Sequence, residues 1–155
     1  MQIGTEGKTL IKTSEGCAKK LSNGNFEAYP DPATGNDPWT IGYGSTGKDI
    51  HKGLVWSQQQ CDSRFDEDAI RFSASLCAVL GNCKTNQNQF DAMASFAYNL
   101  GMGSLKGSTL LNKHKAGDYA GAKLEFLKWD KAGGHVMAGL HTRRIAESIL
   151  YSKSI

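Results

Sequence analysis

The chain has 155 residues, 39% of them hydrophobic and 21% charged, and a formal net charge of +3. That length suits one domain or two small lobes sharing a helix, and it buries roughly two thirds of the unfolded surface, so folding needs no disulfide or metal staple. The composition excludes a disordered or low-complexity chain, and no run approaches the roughly 18 apolar residues of a membrane span. Residues 1–50 carry five lysines against six carboxylates, while residues 51–155 carry thirteen Lys/Arg against nine Asp/Glu. A mildly basic body suits a polyanionic partner or is simply a solvated surface. No zinc knuckle, RNP-type aromatic run or basic helix argues for nucleic acid.

In chain order, Gly4-Thr5-Glu6 opens a first helix with Thr5 as candidate N-cap, Leu10 and Ile11 as its apolar face, and Gly16 as its stop. Glu15 closes that helix, where the negative end of the macrodipole disfavours a charged carboxylate, as a general acid requires. The stretch from Ser14 to Gly47 concentrates Glu15, Glu27, Asp31 and Asp37 among prolines and glycines. Its turns can gather carboxylates that are distant in sequence. Asp31 and Asp37 flank the turn Pro32 to Asn36, and Trp39 to Tyr43 reads as a short strand with Gly42 and Gly44 permitting close approach. One acid held protonated beside one held ionised is the arrangement that cleaves glycosidic bonds. Turn carboxylates more often only serve their turns, so spacing alone leaves both readings open.

Lys48 to Val55 reads as a linker. Ser57 to Gln60 is a capping box opening a long helix with apolar residues at Cys61, Phe65, Ala69, Phe72, Leu76 and Leu80, ended by Gly81-Asn82. Asn86 to Leu100 is apolar on most sides and is expected to be central and buried. A short helix from Gly107-Ser108-Thr109 ends near Gly117, and Asp118 caps the next, with Tyr119, Ala122, Phe126 and Trp129 inward. Lys131 to Gly139 reads as a glycine-rich loop. The last helix runs from about Leu140 to Tyr151, with Ile145 and Ile149 on one face and Arg143, Arg144 and Glu147 among its polar positions. Cys17, Cys61, Cys77 and Cys83 form no C-x-x-C pair, and with the histidines they show no metal spacing. Reduced thiols are expected, with Cys77 and Cys83, astride Gly81-Asn82, the one pair placed to oxidise.

Glu15-Gly16, Ala28-Tyr29-Pro30-Asp31 and Trp39-Thr40-Ile41-Gly42-Tyr43-Gly44 together resemble the active-site region of the phage-type lysozymes, glycoside hydrolase family 24. The resemblance continues through Gln89 to Ala92, Phe96 to Gly101, Gly107 to Leu111, and Gly139-Leu140 with Arg143-Arg144, in the family's order. Two features depart from it. Fifteen residues separate Glu15 from Asp31 where the family has about eight, the extra segment lengthening a hairpin around Asn23-Gly24. Ser45 stands where the family has His, which puts a supporting polar contact in doubt.

The resemblance implies an α+β, lysozyme-like fold: a small lobe with a β-hairpin or short sheet at about 15–55, a larger helical lobe at about 56–155 with the N-terminal helix, and a cleft between. It implies a single catalytic domain over 1–155, a muramidase hydrolysing the β-1,4 bond between N-acetylmuramic acid and N-acetylglucosamine, and an endolysin setting of bacteriophage host lysis. Glu15 is the implied general acid, with Asp31 and Thr40 holding the attacking water in an inverting reaction. Asp37 is nearer the family's Asp-to-Thr separation, but Asp31 is favoured because it matches the motif and lies in stiff, extended backbone between Pro30 and Pro32. Tyr43, Tyr98, Asn99 and Arg143 are implied substrate contacts, although Tyr98 to Gly101 is equally a helix stop and Arg143-Arg144 equally a solvated or ion-paired face. No cofactor and no metal are expected. The implied partner is bacterial peptidoglycan, with neither nucleic acid nor stable membrane insertion, and the chain is expected to be a monomer. Met1 to Leu10 has no apolar signal core and there is no repeat or low-complexity tail, so the expectation is host-cytoplasmic storage until release, without a separate wall-binding module. The rivals are a lytic transglycosylase using Glu15 without an essential aspartate, and a catalytically silent wall-binding protein.

Overall fold

The computed structural model describes residues 1–154. Among these lie the helices α1 (Thr5–Glu15), α2 (Gln58–Leu80), α3 (Gln87–Leu100), α4 (Met102–Lys106), α5 (Thr109–Lys115), α6 (Tyr119–Phe126) and α7 (Ala138–Ser152). The strands are β1 (Phe26–Glu27), β2 (Val55–Trp56), β3 (Lys131–Ala132) and β4 (His135–Val136), each only two residues long. The architecture is mostly helical, with two small antiparallel sheets. Two compact units divide the chain: Lys12–Ile70, and Met1–Ile11 with Arg71–Ile155. Both divisions fall inside helices, α1 and α2, rather than in loops.

In Lys12–Ile70, β1 pairs with β2 in the register Phe26↔Trp56 and Glu27↔Val55. Lys48 to Val55 is therefore not the expected linker: it runs into β2 and buries Ile50 beside Ala28 and Ile41, with Trp39, Leu54 and Trp56 packed against them. The inserted segment forms the expected hairpin, closed by Leu21 N–H to the Asn25 carbonyl and Gly24 N–H to the Leu21 carbonyl, with Lys20 bridged to Phe26. Trp39 to Tyr43 is not a strand. Thr40 bridges Tyr29, and Ile41 already pairs back onto Ser45. Gly42 is why: its φ of 67° reverses the chain, and a Cβ there would lie 3.3 Å from Cys61 Sγ. Only glycine meets both demands without strain. The first turns of α2 supply Cys61, Phe65 and Ala69 to this core, and the capping box is formed, with Ser57 N–H donating to Gln60 Oε1 and Gln60 N–H to Ser57 Oγ.

In the other unit α3 is central, buried from Gln89 to Ala97, and packed against α4 and α7. Phe96 meets Phe126 and Trp129 edge to face, and buried rings of this kind each contribute about 1.5–3 kcal/mol. Thr5 is not the cap of α1. Asp91, from the middle of α3, accepts from Gly4 N–H at 2.8 Å and Gly7 N–H at 3.1 Å, so a distant carboxylate satisfies the helix start.

The short helix α4 was not legible in its glycine-rich sequence. Lys131 to Gly139 is no loop: Gly133-Gly134 makes the tight turn of the β3–β4 hairpin, both residues at positive φ. α7 turns its charged positions inward and its isoleucines outward. Ile145 and Ile149 are 38% and 59% exposed, whereas Arg143, Arg144 and Glu147 are 6%, 0% and 0% exposed. These buried charges sit beside buried Leu150 and Tyr151 and are held by ion pairs, Arg143 to Glu147 at 3.4 Å and Arg144 to Glu147 at 3.2 Å. Ser95 of α3 donates to Glu147 Oε2 at 2.5 Å, and Arg143 reaches both Glu147 Oε2 at 3.4 Å and the Ser95 carbonyl at 3.0 Å.

Candidate active site

α1 delivers Glu15. The helix ends there because Gly16 takes a φ of 64° while its N–H still bonds the Lys12 carbonyl at 2.9 Å, an αL stop that suits glycine. Glu15 is half-buried. Tyr29 lies within its field: the Tyr29 hydroxyl is raised above its ordinary pKa by burial first, and then by electrostatic interaction with Glu15 and with Cys17. The Tyr29 backbone is paired in both directions with Thr40 at 2.9 Å. Asp31 follows two residues on and is half-buried, whereas Asp37 is exposed. Within this unit Tyr29 therefore links two of the candidates: its hydroxyl feels the charge of Glu15 and its backbone pairs with Thr40.

Turn chemistry does not separate the two aspartates as the sequence suggested. Asp31 itself serves the turn: its Oδ1 accepts Ala33 N–H at 2.8 Å, its N–H donates to the Asn36 carbonyl and its carbonyl accepts Gly35 N–H. Its Oδ2 has no partner among the described residues. Asp37 contributes only its carbonyl, to the Thr34 hydroxyl at 2.8 Å. Burial and the pairing of Tyr29 with Thr40 are what distinguish Asp31.

Tyr43 accepts from Gln58 Nε2 at 3.0 Å and packs edge-on against Phe65. Burial, with a hydrogen bond to Cys17 next, pushes its hydroxyl up to about 12, so it stays a neutral phenol. Burial likewise pushes the Cys61 thiol up to about 12, Cys17 adding to the effect. Lys12 holds its ammonium 5.2 Å from the Tyr43 ring centroid and 5.1 Å from that of Phe65, and bonds Asp62 at 3.2 Å. Tyr29, Cys17 and Lys12 were not singled out from sequence. Lys12 stands one helical turn before Glu15, a spacing that could have flagged it. Ser45, in place of the family's His, is buried and donates to Asp68 Oδ2 at 2.6 Å, so a polar tie to α2 exists with a different side chain.

The other three candidates lie in the second unit. Tyr98 is half-buried and packs its ring on Phe72 at 5.4 Å. Asn99 is half-buried and accepts from Arg144 Nη2. Arg143 is interior and engaged with Ser95 and Glu147, so its geometry is that of a core ion pair rather than of a ligand contact at the surface. Among the described residues no group of three His, Cys, Asp or Glu could hold a metal ion, and all four cysteines are free thiols. Cys77 donates to the Met1 carbonyl at 3.2 Å and Cys83 lies 3.6 Å from the Thr85 hydroxyl.

The mostly helical fold with two small two-stranded sheets is lysozyme-like. The chain belongs to the phage lysozyme family, whose family model matches residues 12–147. It is 40% identical over 151 residues to the endolysin of Bacillus phage B103, covering 97% of this chain and 54% of that protein. It is 37% identical over 158 residues to the endolysin of Acyrthosiphon pisum secondary endosymbiont phage 1, covering 99% of this chain and 100% of that one. The solved endolysin from Escherichia coli O157:H7 phage FAHEc1 superposes with a TM-score of 0.80 at 30% identity, covering 100% of this chain and 96% of that one. The chain spans about half the length of the Bacillus phage endolysins it matches.

Proposed function

We propose that residues 1–155 form one lysozyme-like catalytic domain of an endolysin, which hydrolyses the β-1,4 bond between N-acetylmuramic acid and N-acetylglucosamine in the host cell wall. Glu15 donates the proton to the leaving oxygen. Asp31 and Thr40 hold and orient the water on the opposite face of the sugar, an inverting arrangement that needs carboxylates on the order of 6.5–9.5 Å apart. Tyr43, Tyr98 and Asn99 serve the bound glycan. The domain acts as a monomer without a cofactor. The observation that supports this reading most is the ending of α1 at Glu15, whose charge acts on Tyr29, the residue that pairs through its backbone with Thr40.

The test is mass and anomeric analysis of purified peptidoglycan digested by the wild-type chain. Reducing muramic acid ends formed with inversion are expected. Anhydromuramic ends would instead identify a lytic transglycosylase, and no released ends a silent wall-binding protein.

A further inference from the structure

Lys12–Ile70 carries a second concave feature, built by residues that the proposed chemistry does not use. A groove of about 360 Å³ runs along the outer face of α2, lined by Trp56, Gln59, Gln60, Ser63, Arg64 and Glu67. These positions recur every three or four residues from the end of β2 into the third turn of α2, so they share one helix face.

Its floor is immobilised. Arg64 Nε bonds Asp68 at 3.1 Å, Nη1 bonds Asp49 at 2.6 Å, and Nη2 bonds the Thr46 carbonyl at 3.0 Å. This locked guanidinium lies 5.7 Å from the Trp56 ring centroid, and Trp56 is itself held by β1 and the small core. Its rim is uncommitted. The side chains of Gln59, Ser63 and Glu67 are exposed and make no hydrogen bond or ion pair with any described residue, and the Gln60 side chain spends only its Oε1, on the helix cap.

The charge pattern selects the ligand class. Asp49 and Asp68 already neutralise Arg64, and Glu67 adds a further negative charge, so phosphates and carboxylates are not attracted. Two planar amides, a hydroxyl and a free carboxylate around part of an indole ring suit a neutral ring bearing hydroxyl and acetamide groups. We infer that this groove is an accessory binding site for a β-1,4-linked N-acetylamino-sugar strand, separate from the Glu15 site. The inference rests on the muramidase reading for the identity of the polymer. Such a site holds the domain on the wall by raising the effective concentration of substrate, so it acts on KM and not on kcat.

The experiment titrates isotope-labelled Glu15→Gln protein, which leaves the sugar intact, with chitotetraose. The expected result is a saturable shift of the Trp56 indole N–H and the Gln59 side-chain amide, lost in a Gln59→Ala/Glu67→Ala variant. With Glu15 restored, that double variant is expected to raise KM for purified sacculi several-fold at unchanged kcat. Gln60 is left in place because it caps α2, and matching backbone spectra check that the variant folds. Chitotetraose shifts confined to residues around Glu15 and Thr40, shifts produced by a free stem peptide and not by the sugar, or an unchanged KM would each overturn the inference. A wild-type chain that releases no reducing ends from sacculi would sink the muramidase reading instead, while the chitotetraose titration still reports on the groove.

Discussion

Glu15 and Asp31 owe their settings to opposite backbone devices. Glu15 rides the last turn of a helix stopped by a glycine, and Asp31 sits in an Asx turn between two prolines. Replacing Glu15 by Gln keeps the shape and removes the transferable proton, so lysis of permeabilised cells is expected to fall by about 10²–10⁴-fold with an unchanged melting temperature. Asp31→Asn is expected to lose most activity and Asp37→Asn little, since Asp37 is exposed and Asp31 half-buried beside the Tyr29–Thr40 pair. Kinetics on the two purified variants decide it; an active Asp31→Asn beside a dead Asp37→Asn reverses the assignment. At Gly42 the residue scale is steric. Gly42→Ala forces a side chain into positive φ and against Cys61, 3.3 Å away, at a cost of about 1–2 kcal/mol that urea unfolding would read.

At the scale of elements, α7 gives the sharpest contrast between pattern and packing. Its isoleucines face outward and its ions inward. Glu147→Ala leaves Arg143 and Arg144 buried without their carboxylate and is expected to cost about 3–5 kcal/mol. Ile149→Lys, on the exposed face, is expected to change stability by no more than about 0.5 kcal/mol. Reversal of these two values in equilibrium unfolding would contradict the burial of the charged stripe.

For the whole molecule, two buried groups give stability opposite pH dependences. Burial lowers the pKa of His114, which bonds Thr85 at 2.8 Å and Tyr151 at 2.6 Å. The unfolded chain takes up this proton near 6.5 and the folded chain only at lower pH, so the unfolded state binds more protons there. Stability from His114 is complete above 6.5 and is lost as pH falls below it. Glu147 acts in the other sense. Burial pushes its carboxyl up to about 7 from 4.5, against the pull of Arg144, Ser95 and Arg143, so its contribution falls as pH rises between those values. Melting curves against pH are therefore expected to decline less just below 6.5 in His114→Gln and to decline less toward neutrality in Glu147→Gln. Lysis is expected to survive exhaustive dialysis against a chelator, because the described residues offer no ligand cluster; restoration by added zinc or calcium would show otherwise.

Wherever local chemistry suffices, the sequence alone determined the outcome. Gly16 stops α1 at Glu15, Ser57 and Gln60 cap α2, Asp118 caps α6, and the apolar period of α2 and the apolar surround of α3 mark buried helices. These signals depend on neighbours within one or two turns. Tertiary structure alone decided what depends on distant partners. Asp91, not Thr5, satisfies the start of α1, because its carboxylate comes from mid-α3. Arg143, Arg144 and Glu147 turn inward because ions that pair with one another and with Ser95 and Asn99 can be buried, which no hydrophobic period encodes. Trp39 to Tyr43 bends back instead of running as a strand, because Gly42 must clear Cys61, nineteen positions further along the chain.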